Sequence, residues 1–168
     1  QYPISKIKGI VDGGAHRQDS VLSGVSFLEQ RFAATDLIAI HDGARPLIRP
    51  ELIERVINAA SSSCGAILAI PITDTLKRVS DDRQILGSVL RDAVWAAQTP
   101  QVFPLGPLAE AIRAATAEGF VGTDEASLFE RMGYSVVCVE GEPDNMKITT
   151  SSDFDRAEKI ISARLACG

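Results

Sequence analysis

Short apolar runs alternate with amphipathic stretches along most of the chain. The apolar runs, which have the length and composition of buried strands, lie at 10–11, 37–40, 65–70 and 134–140. Apolar residues recur every three or four positions, the spacing of a helix, at 19–32, 50–60, 107–118, 123–132 and 152–165. Strands that alternate with helices predict an α/β domain with a mainly parallel sheet flanked by helices.

Residues 74–103 depart from this alternation. Two short strand-like stretches flank a polar turn at Asp81-Asp82, which predicts a β-hairpin. Apolar residues are sparse at the tip of this hairpin, so we expect it to project from the body as an arm. The sequence therefore predicts a single domain over residues 1–168, with the arm at about 74–103.

Composition narrows the class of protein. The chain is 45% hydrophobic and 23% charged, which suits a globular domain with its own core. A net charge of -5 argues against a dedicated nucleic-acid-binding protein, and no apolar run is long enough to span a bilayer. The three cysteines are far apart and in no metal-ligand spacing, which is typical of a reduced, cytoplasmic chain.

Polar and basic residues follow each predicted strand directly. The segments are 12–20, 41–46, 71–78 and 141–149, and each contains Gly or Pro together with Arg or Lys. In sheets of this kind, ligands bind at the carboxyl ends of the strands. The sequence therefore predicts an anion-binding pocket at this edge of the sheet.

The segment HDGARP (41–46) carries the strongest single signal. Asp42 stands at a strand end, where a carboxylate can hold Mg²⁺ together with substrate phosphates, and Arg45 could bind phosphate oxygens bidentately. The alternative is an Asp–Arg pair that only ties down its own loop. His41 is interpreted as a loop-bonding residue because no Ser or Cys nucleophile stands beside it. Arg17 could pair with Asp19 or Asp42 as a scaffold.

Other candidates leave two interpretations open. Gly13-Gly14 before a helix is a weak anion-binding signal, since glycine turns before helices are common. Lys147 and Thr149 would share one face of an extended segment, where Lys147 either binds phosphate or is a solvated edge residue. Arg91 carries the same ambiguity.

Six segments, in this order and spacing, resemble those of the 2-C-methyl-D-erythritol 4-phosphate cytidylyltransferase family. They are GGAHRQDSVLSG, HDGARP, PITDTLKRV, WAAQTPQVF, TDEASLFE and EGEPDNMKITT, and the resemblance covers about residues 9–163. It implies a Rossmann-like, glycosyltransferase-A-like fold. It also implies transfer of CMP from CTP to 2-C-methyl-D-erythritol 4-phosphate, a polyol phosphate, with release of pyrophosphate, in the non-mevalonate isoprenoid pathway. Mg²⁺ as the cofactor and a homodimer formed through the arms are further implications.

The resemblance also implies roles for individual residues. The expected catalytic residues are Arg91 and Lys147, and the expected metal ligand is Asp42. The expected substrate-binding residues are Asp42, Arg45, Thr75, Thr123 and Thr149. The expected nucleotide-binding residues are Gly14, Ser20 and Gly43.

The sequence departs from the family pattern in its first part. The family begins with a βα unit that carries a Gly-rich CTP-binding loop of the form GxGxR…PKQ, and this sequence has no such segment. We therefore expect this chain to be inactive, or nearly so, on its own. Ala15 stands where some members have an acidic residue, and no role is assigned to it.

Three alternatives remain open at this stage. The chain could act on ribitol 5-phosphate or another pentitol phosphate, it could be a non-catalytic remnant that forms dimers, or it could be part of a fusion with the pathway's cyclodiphosphate synthase. The expected location is the cytoplasm of a bacterium, or the plastid if the source is a plant or alga.

Overall fold

The computed structural model describes residues 6–166. Its helices are α1 (Arg17–Glu29), α2 (Pro50–Ala59), α3 (Leu105–Ala117), α4 (Glu125–Arg131) and α5 (Ser151–Ala166). Its strands are β1 (Leu37–Ile40), β2 (Cys64–Pro71), β3 (Leu76–Val79), β4 (Ile85–Val89), β5 (Trp95–Pro104) and β6 (Ser135–Glu140). Among these residues, no helix is both long and apolar enough to cross a membrane. The interpretation of Cys167 as part of a reduced set of thiols lies outside the described residues.

The central sheet has the strand order β1-β5-β2-β6. Strand β6 runs parallel to β2, whereas β5 runs antiparallel to both of its neighbours, β1 and β2. Strands β1, β2 and β6 therefore point in the same direction, so the loops that follow them meet at one edge of the sheet. This confirms the predicted α/β class with helices around a central sheet. Among the described strands of this sheet, β5 runs in the opposite direction to the other three.

Helices cover both faces of this sheet because β2 is apolar on both. Ile67 packs into a core with α1, α3 and α4, whereas its neighbours Ala66 and Leu68 pack with α2 on the opposite face. Successive side chains of a strand point to opposite faces, so one continuous apolar run serves both layers. On the larger side, the ring of Phe129 lies 5.0 Å from that of Phe103 and 4.5 Å from that of Tyr134.

The predicted hairpin forms, but the arm is shorter than the sequence predicts. Strands β3 and β4 pair only with each other, as a separate two-stranded sheet. The predicted extension of the arm to residue 103 is wrong, because Trp95–Pro104 is the strand β5 inside the main sheet. The sequence did not predict this strand because the segment contains polar residues and prolines. Its polar residues Gln98, Thr99 and Gln101 are nevertheless buried, at most 5% exposed.

Two local predictions also need correction. Residues 10–11 do not form a strand, and Ile10 is 89% exposed, because two apolar residues before Asp12-Gly13-Gly14 are too few to sustain a ladder of hydrogen bonds. The predicted helix at 123–132 begins after Asp124, whose carboxylate accepts a hydrogen bond from the Ser127 backbone N–H at 3.0 Å. Carboxylates are good caps because they satisfy the free N–H groups of the first turn.

Candidate functional site

The loops at the shared edge of the sheet surround a pocket of about 250 Å³. It receives residues from α1, from the loop after β1, from β5, from the turn before α4 and from the loop after β6. The lining residues are Arg17, Asp42, Arg45, Ala97, Gln98, Thr99, Gln101, Thr123, Asp124 and Lys147. The sequence rule that ligands bind at strand ends therefore located the pocket correctly.

Asp42 is the electrostatic centre of this pocket. Its Oδ2 lies 3.0 Å from Lys147 Nζ and 3.6 Å from Arg45 Nε, and its Oδ1 lies 3.6 Å from Arg17 Nε. These contacts join residues from three separate parts of the chain. Three cationic side chains therefore lie beside Asp42 and can contact phosphate oxygens. Asp124 in the lining and Glu125 bound to Arg17 balance their formal charge.

The surrounding charges keep Asp42 ionised. Partial burial raises the pKa of this carboxyl group, but the hydrogen bond from Lys147 and the charges of Lys147, Arg17 and Arg45 outweigh burial and leave the pKa below its ordinary value. At neutral pH, Asp42 therefore acts as an acceptor of hydrogen bonds and as an anionic ligand, and it has no proton to donate.

Arg17 is anchored by Glu125, the first residue of α4. Its two terminal nitrogens donate to the two carboxylate oxygens of Glu125 at 2.6 and 2.8 Å, and the hydrogen bond to Glu125 raises the pKa of Arg17. The Arg17–Asp42 pair was one of the sequence interpretations and is confirmed. Glu125 was missed, and the only available signal was an acidic residue within the segment TDEASLFE.

Buried amides hold the Lys147 loop against β5. The side-chain nitrogen of Asn145 donates to the Thr99 carbonyl at 2.9 Å and to Gln98 Oε1 at 3.2 Å, while Gln98 Nε2 donates to the Glu142 carbonyl at 2.9 Å. Arg45 reinforces the loop by donating to the Asn145 carbonyl at 2.7 Å. Sequence reasoning missed Gln98 and Asn145, because the partners are more than forty residues apart.

His41 fixes the shape of the HDGARP turn. One ring nitrogen lies 3.0 Å from the Arg45 carbonyl, and the other lies 3.0 Å from the Thr99 hydroxyl. The same hydroxyl accepts a hydrogen bond from the Asp42 backbone N–H at 3.0 Å. The interpretation of His41 as a loop-bonding residue is confirmed.

The predicted nucleotide-binding residues lie in two places. The Gly14 N–H donates to Ser20 Oγ at 3.0 Å, and a Cβ added at Gly14 would lie 2.1 Å from the Asp19 Cβ, so local packing by itself requires glycine there. At Gly43 an added Cβ would meet no described atom within 4 Å, so the fold does not require glycine and the backbone is open to a ligand. The nucleotide role of these residues stays a prediction.

Three of the expected catalytic and substrate-binding residues lie outside this pocket, as do the three expected nucleotide-binding residues. Arg91 and Thr75 belong to the arm region, where the Arg91 guanidinium donates to the Thr73 carbonyl. Thr149 was expected to face the same way as Lys147. Its N–H and hydroxyl instead donate to Asp153 Oδ2 at 2.9 and 3.1 Å at the start of α5, and it borders a different cavity beside Gly43. The residues that do line the pocket as predicted are Asp42, Arg45, Thr123 and Lys147.

The described residues contain no cluster of three or more His, Cys, Asp or Glu side chains that could enclose a metal ion. Asp42 therefore offers a single carboxylate ligand, and two other groups at the pocket, Asp124 and Glu125, already have hydrogen-bond partners. Mg²⁺ is commonly held by one or two carboxylates together with substrate phosphates and water. The described residues do not enclose a metal ion by themselves. Asp42, whose two oxygens both face cationic side chains, is the carboxylate at the pocket that would share a Mg²⁺ ion with a bound phosphate.

Comparisons with known proteins show which family the chain belongs to. The family model for 2-C-methyl-D-erythritol 4-phosphate cytidylyltransferase matches residues 3–163. Relatives of that description from Symbiobacterium thermophilum and Halalkalibacterium halodurans are each 42% identical, over 94% and 98% of this chain and 66% and 70% of their own lengths. The crystal structure of the enzyme of that name from Thermus thermophilus is 36% identical with a TM-score of 0.78, over 90% of this chain and 72% of that one.

The chain spans about two thirds of the length of the curated relatives that it matches. All six motif segments fall within the matched residues 3–163, and so do all the residues that line the pocket. Sequence, fold and pocket agree, and the chain belongs to the 2-C-methyl-D-erythritol 4-phosphate cytidylyltransferase family.

Proposed function

We propose that this chain, together with the Gly-rich βα unit that its family carries, transfers CMP from CTP to 2-C-methyl-D-erythritol 4-phosphate and releases pyrophosphate. Residues 1–168 by themselves are expected to be inactive, or nearly so. The observation that carries the proposal is the convergence of Lys147, Arg45 and Arg17 on Asp42 in one pocket. Family membership supplies the identity of the two substrates, and the pocket supplies the chemistry that two phosphorylated substrates need.

The reaction brings two anions into contact. A phosphate oxygen of the polyol phosphate must attack the α-phosphorus of CTP in line with the departing pyrophosphate, so fixed positive charge is needed to offset their repulsion. In the proposal Lys147 would hold the attacking phosphate, and the support is that its side chain is 45% exposed and lines the pocket beside Asp42. No covalent nucleophile is required for this step.

Arg45 and Asp42 have complementary roles in the proposal. Arg45 lines the pocket and would contribute its positive charge to a substrate phosphate, while its buried Nε faces Asp42 Oδ2 at 3.6 Å. Asp42 would accept from a substrate hydroxyl and would hold Mg²⁺ together with the phosphates. Mg²⁺ when bound would neutralise charge on the triphosphate and align the attack.

The arm is proposed to complete the site of a second subunit. Thr75 and Arg91 lie in the arm region and do not line the pocket of their own chain. Exposed apolar side chains on the hairpin, Val79, Ile85 and Leu86, offer surface for a homodimer contact.

The proposal includes a cytoplasmic location, in line with the cysteine pattern and the bacterial relatives.

A coupled assay for pyrophosphate tests the proposed function. A protein that carries the family's Gly-rich unit ahead of this chain is incubated with CTP, Mg²⁺ and either 2-C-methyl-D-erythritol 4-phosphate or ribitol 5-phosphate, and each substrate is also omitted in turn. Residues 1–168 alone are assayed beside it and should release little or no pyrophosphate. The proposal predicts release that requires CTP and is faster with the methylerythritol phosphate. Faster release with ribitol 5-phosphate would support the pentitol-phosphate alternative, and absence of heat on titration with CTP and Mg²⁺ would support the non-catalytic one.

A further inference from the structure

Glu125 is a buried carboxylate that the chemistry proposed above does not use. Its side chain is 2% exposed, and both of its oxygens accept hydrogen bonds from Arg17, at 2.6 and 2.8 Å. Arg17 lies on α1 and Glu125 on α4, 108 residues apart in sequence. A buried charge is costly unless it is paired, and a buried ion pair contributes little net stability. We therefore expect this pair to fix a local geometry more than to stabilise the fold.

The pairing determines which part of Arg17 faces the pocket. Since Glu125 takes the two terminal nitrogens, Arg17 cannot at the same time clamp a phosphate with that fork. The Nε that remains lies 3.6 Å from Asp42 Oδ1. Arg17 therefore contacts Asp42 from a fixed direction, in contrast to a freely moving surface arginine.

That direction matters because the carboxylate of aspartate rotates easily. The terminal torsion of Asp is broad and roughly two-fold, so contacts on its two oxygens set its orientation. Lys147 and Arg45 both approach Oδ2, and Arg17 is the described cation that approaches Oδ1. Without Arg17, both remaining charged contacts lie on Oδ2, and rotation of the whole carboxylate about its Cβ–Cγ bond is no longer opposed by a contact on Oδ1.

We infer that Glu125 is a positioning residue, which acts through Arg17 to orient the Asp42 carboxylate for the reaction. The inference rests on the proposed function, because the reaction is what the orientation serves. It adds a residue that touches neither substrate, and it connects α4 to the end of β1 through one arginine.

The chain offers a matched control pair. Arg113 on α3 donates both terminal nitrogens to Glu29 of α1 at 2.8 and 3.0 Å, so the bidentate geometry is the same. This pair is more exposed, and neither residue lines the pocket. It therefore reports what the loss of a bidentate pair does to the fold apart from the site.

The experiment compares Glu125→Gln, Arg17→Lys and the double variant with Glu29→Gln and Arg113→Lys. Glu125→Gln keeps the shape and removes the charge, while Arg17→Lys keeps the charge and removes the fork. Arg17→Lys keeps a positive charge beside the buried Glu125 carboxylate, so this variant is expected to fold even if Glu125→Gln does not. For each variant, kcat, the KM of both substrates and the thermal midpoint are measured, and a crystal structure is determined.

We expect kcat to fall about tenfold to a hundredfold in each single variant at the site, with little change in the KM of CTP, because small misplacements of a reacting group are costly. The double variant should lose no more than the worse single variant, since the two residues act as one unit. The control variants should keep the kcat of the unmodified protein. The crystal structure should show Asp42 Oδ1 no longer held by Arg17.

Unchanged kcat in both single variants, or losses that multiply in the double variant, would overturn the inference. So would a loss of kcat in the control pair as large as that at the site. If the unmodified protein released no pyrophosphate even with the family's Gly-rich unit present, the proposed function would fail. The crystal structure of the variant would then decide the positioning role by itself, since an unmoved Asp42 carboxylate overturns it.

Discussion

Replacing Lys147 with alanine separates a role in the reaction from a role in the fold. The Lys147–Asp42 contact is 3.0 Å long, but the lysine side chain is 45% exposed, so its loss should cost less than about 1 kcal/mol of unfolding free energy. Loss of a fixed positive group at a developing phosphate charge costs about 3–4 kcal/mol in the transition state, which lowers kcat about 10²–10³-fold. The account therefore predicts a large kinetic effect with a small effect on stability.

The assay is steady-state release of pyrophosphate from CTP, accompanied by a thermal melt of each protein. Lys159→Ala is the matched control, since Lys159 is an exposed lysine on α5 that does not line the pocket. Its kcat should equal that of the unmodified protein. A Lys147→Ala variant that keeps more than about a third of the original kcat would refute the reasoning, because a group worth about 3–4 kcal/mol cannot be removed at so small a cost. A large fall in the thermal midpoint would instead assign Lys147 to the fold.

Three further predictions concern the dimer, the pH dependence of stability and the core. Mixing an Arg91→Ala protein with a Lys147→Ala protein should restore part of the activity if the arm completes the partner's site, whereas no recovery in the pyrophosphate assay would exclude a shared site. The hydrogen bonds from Thr149 and Thr150 lower the pKa of Asp153 to about 2 from an ordinary 3.8. Its contribution to stability is therefore fully present above about pH 4 and lost as the pH falls toward 2. The melting difference between the unmodified protein and Asp153→Ala should shrink over that range, and a difference independent of pH would contradict this. Phe129→Ala removes a fully buried ring that contacts Phe103 and Tyr134, so urea unfolding should show a loss of about 3–5 kcal/mol, and a loss below about 1 kcal/mol would contradict the described packing.

Local patterns in the sequence were sufficient to predict most of the elements. The alternation of apolar runs and helical periodicities located β1, β2, β6 and the helices, because each buries one continuous stripe or face. The pattern failed at β5, whose segment QTPQ is polar yet buried. Its side chains are satisfied by distant partners such as Asn145 and Asp124, and no local rule reveals such partners.

In the candidate site, too, local sequence patterns predicted some residues, whereas residues that depend on distant partners were missed. Asp42, Arg45 and Lys147 could be predicted together because each follows a strand of the same direction, and such ends meet at one edge of a sheet. Glu125 could not be predicted, since its bond to Arg17 depends on how α1 and α4 pack. Thr149 was placed beside Lys147 on the basis of an extended backbone, but the carboxylate of Asp153 draws it toward α5.

Phosphorus-31 NMR of the complete reaction tests the central proposal most directly. With the family's Gly-rich unit present, the protein should convert CTP and 2-C-methyl-D-erythritol 4-phosphate, in the presence of Mg²⁺, into one new diphosphate, seen as a coupled pair of signals, and an equal amount of free pyrophosphate. The Lys147→Ala protein should give the same products far more slowly. Release of pyrophosphate without the coupled pair, or a coupled pair formed only with ribitol 5-phosphate, would contradict the account.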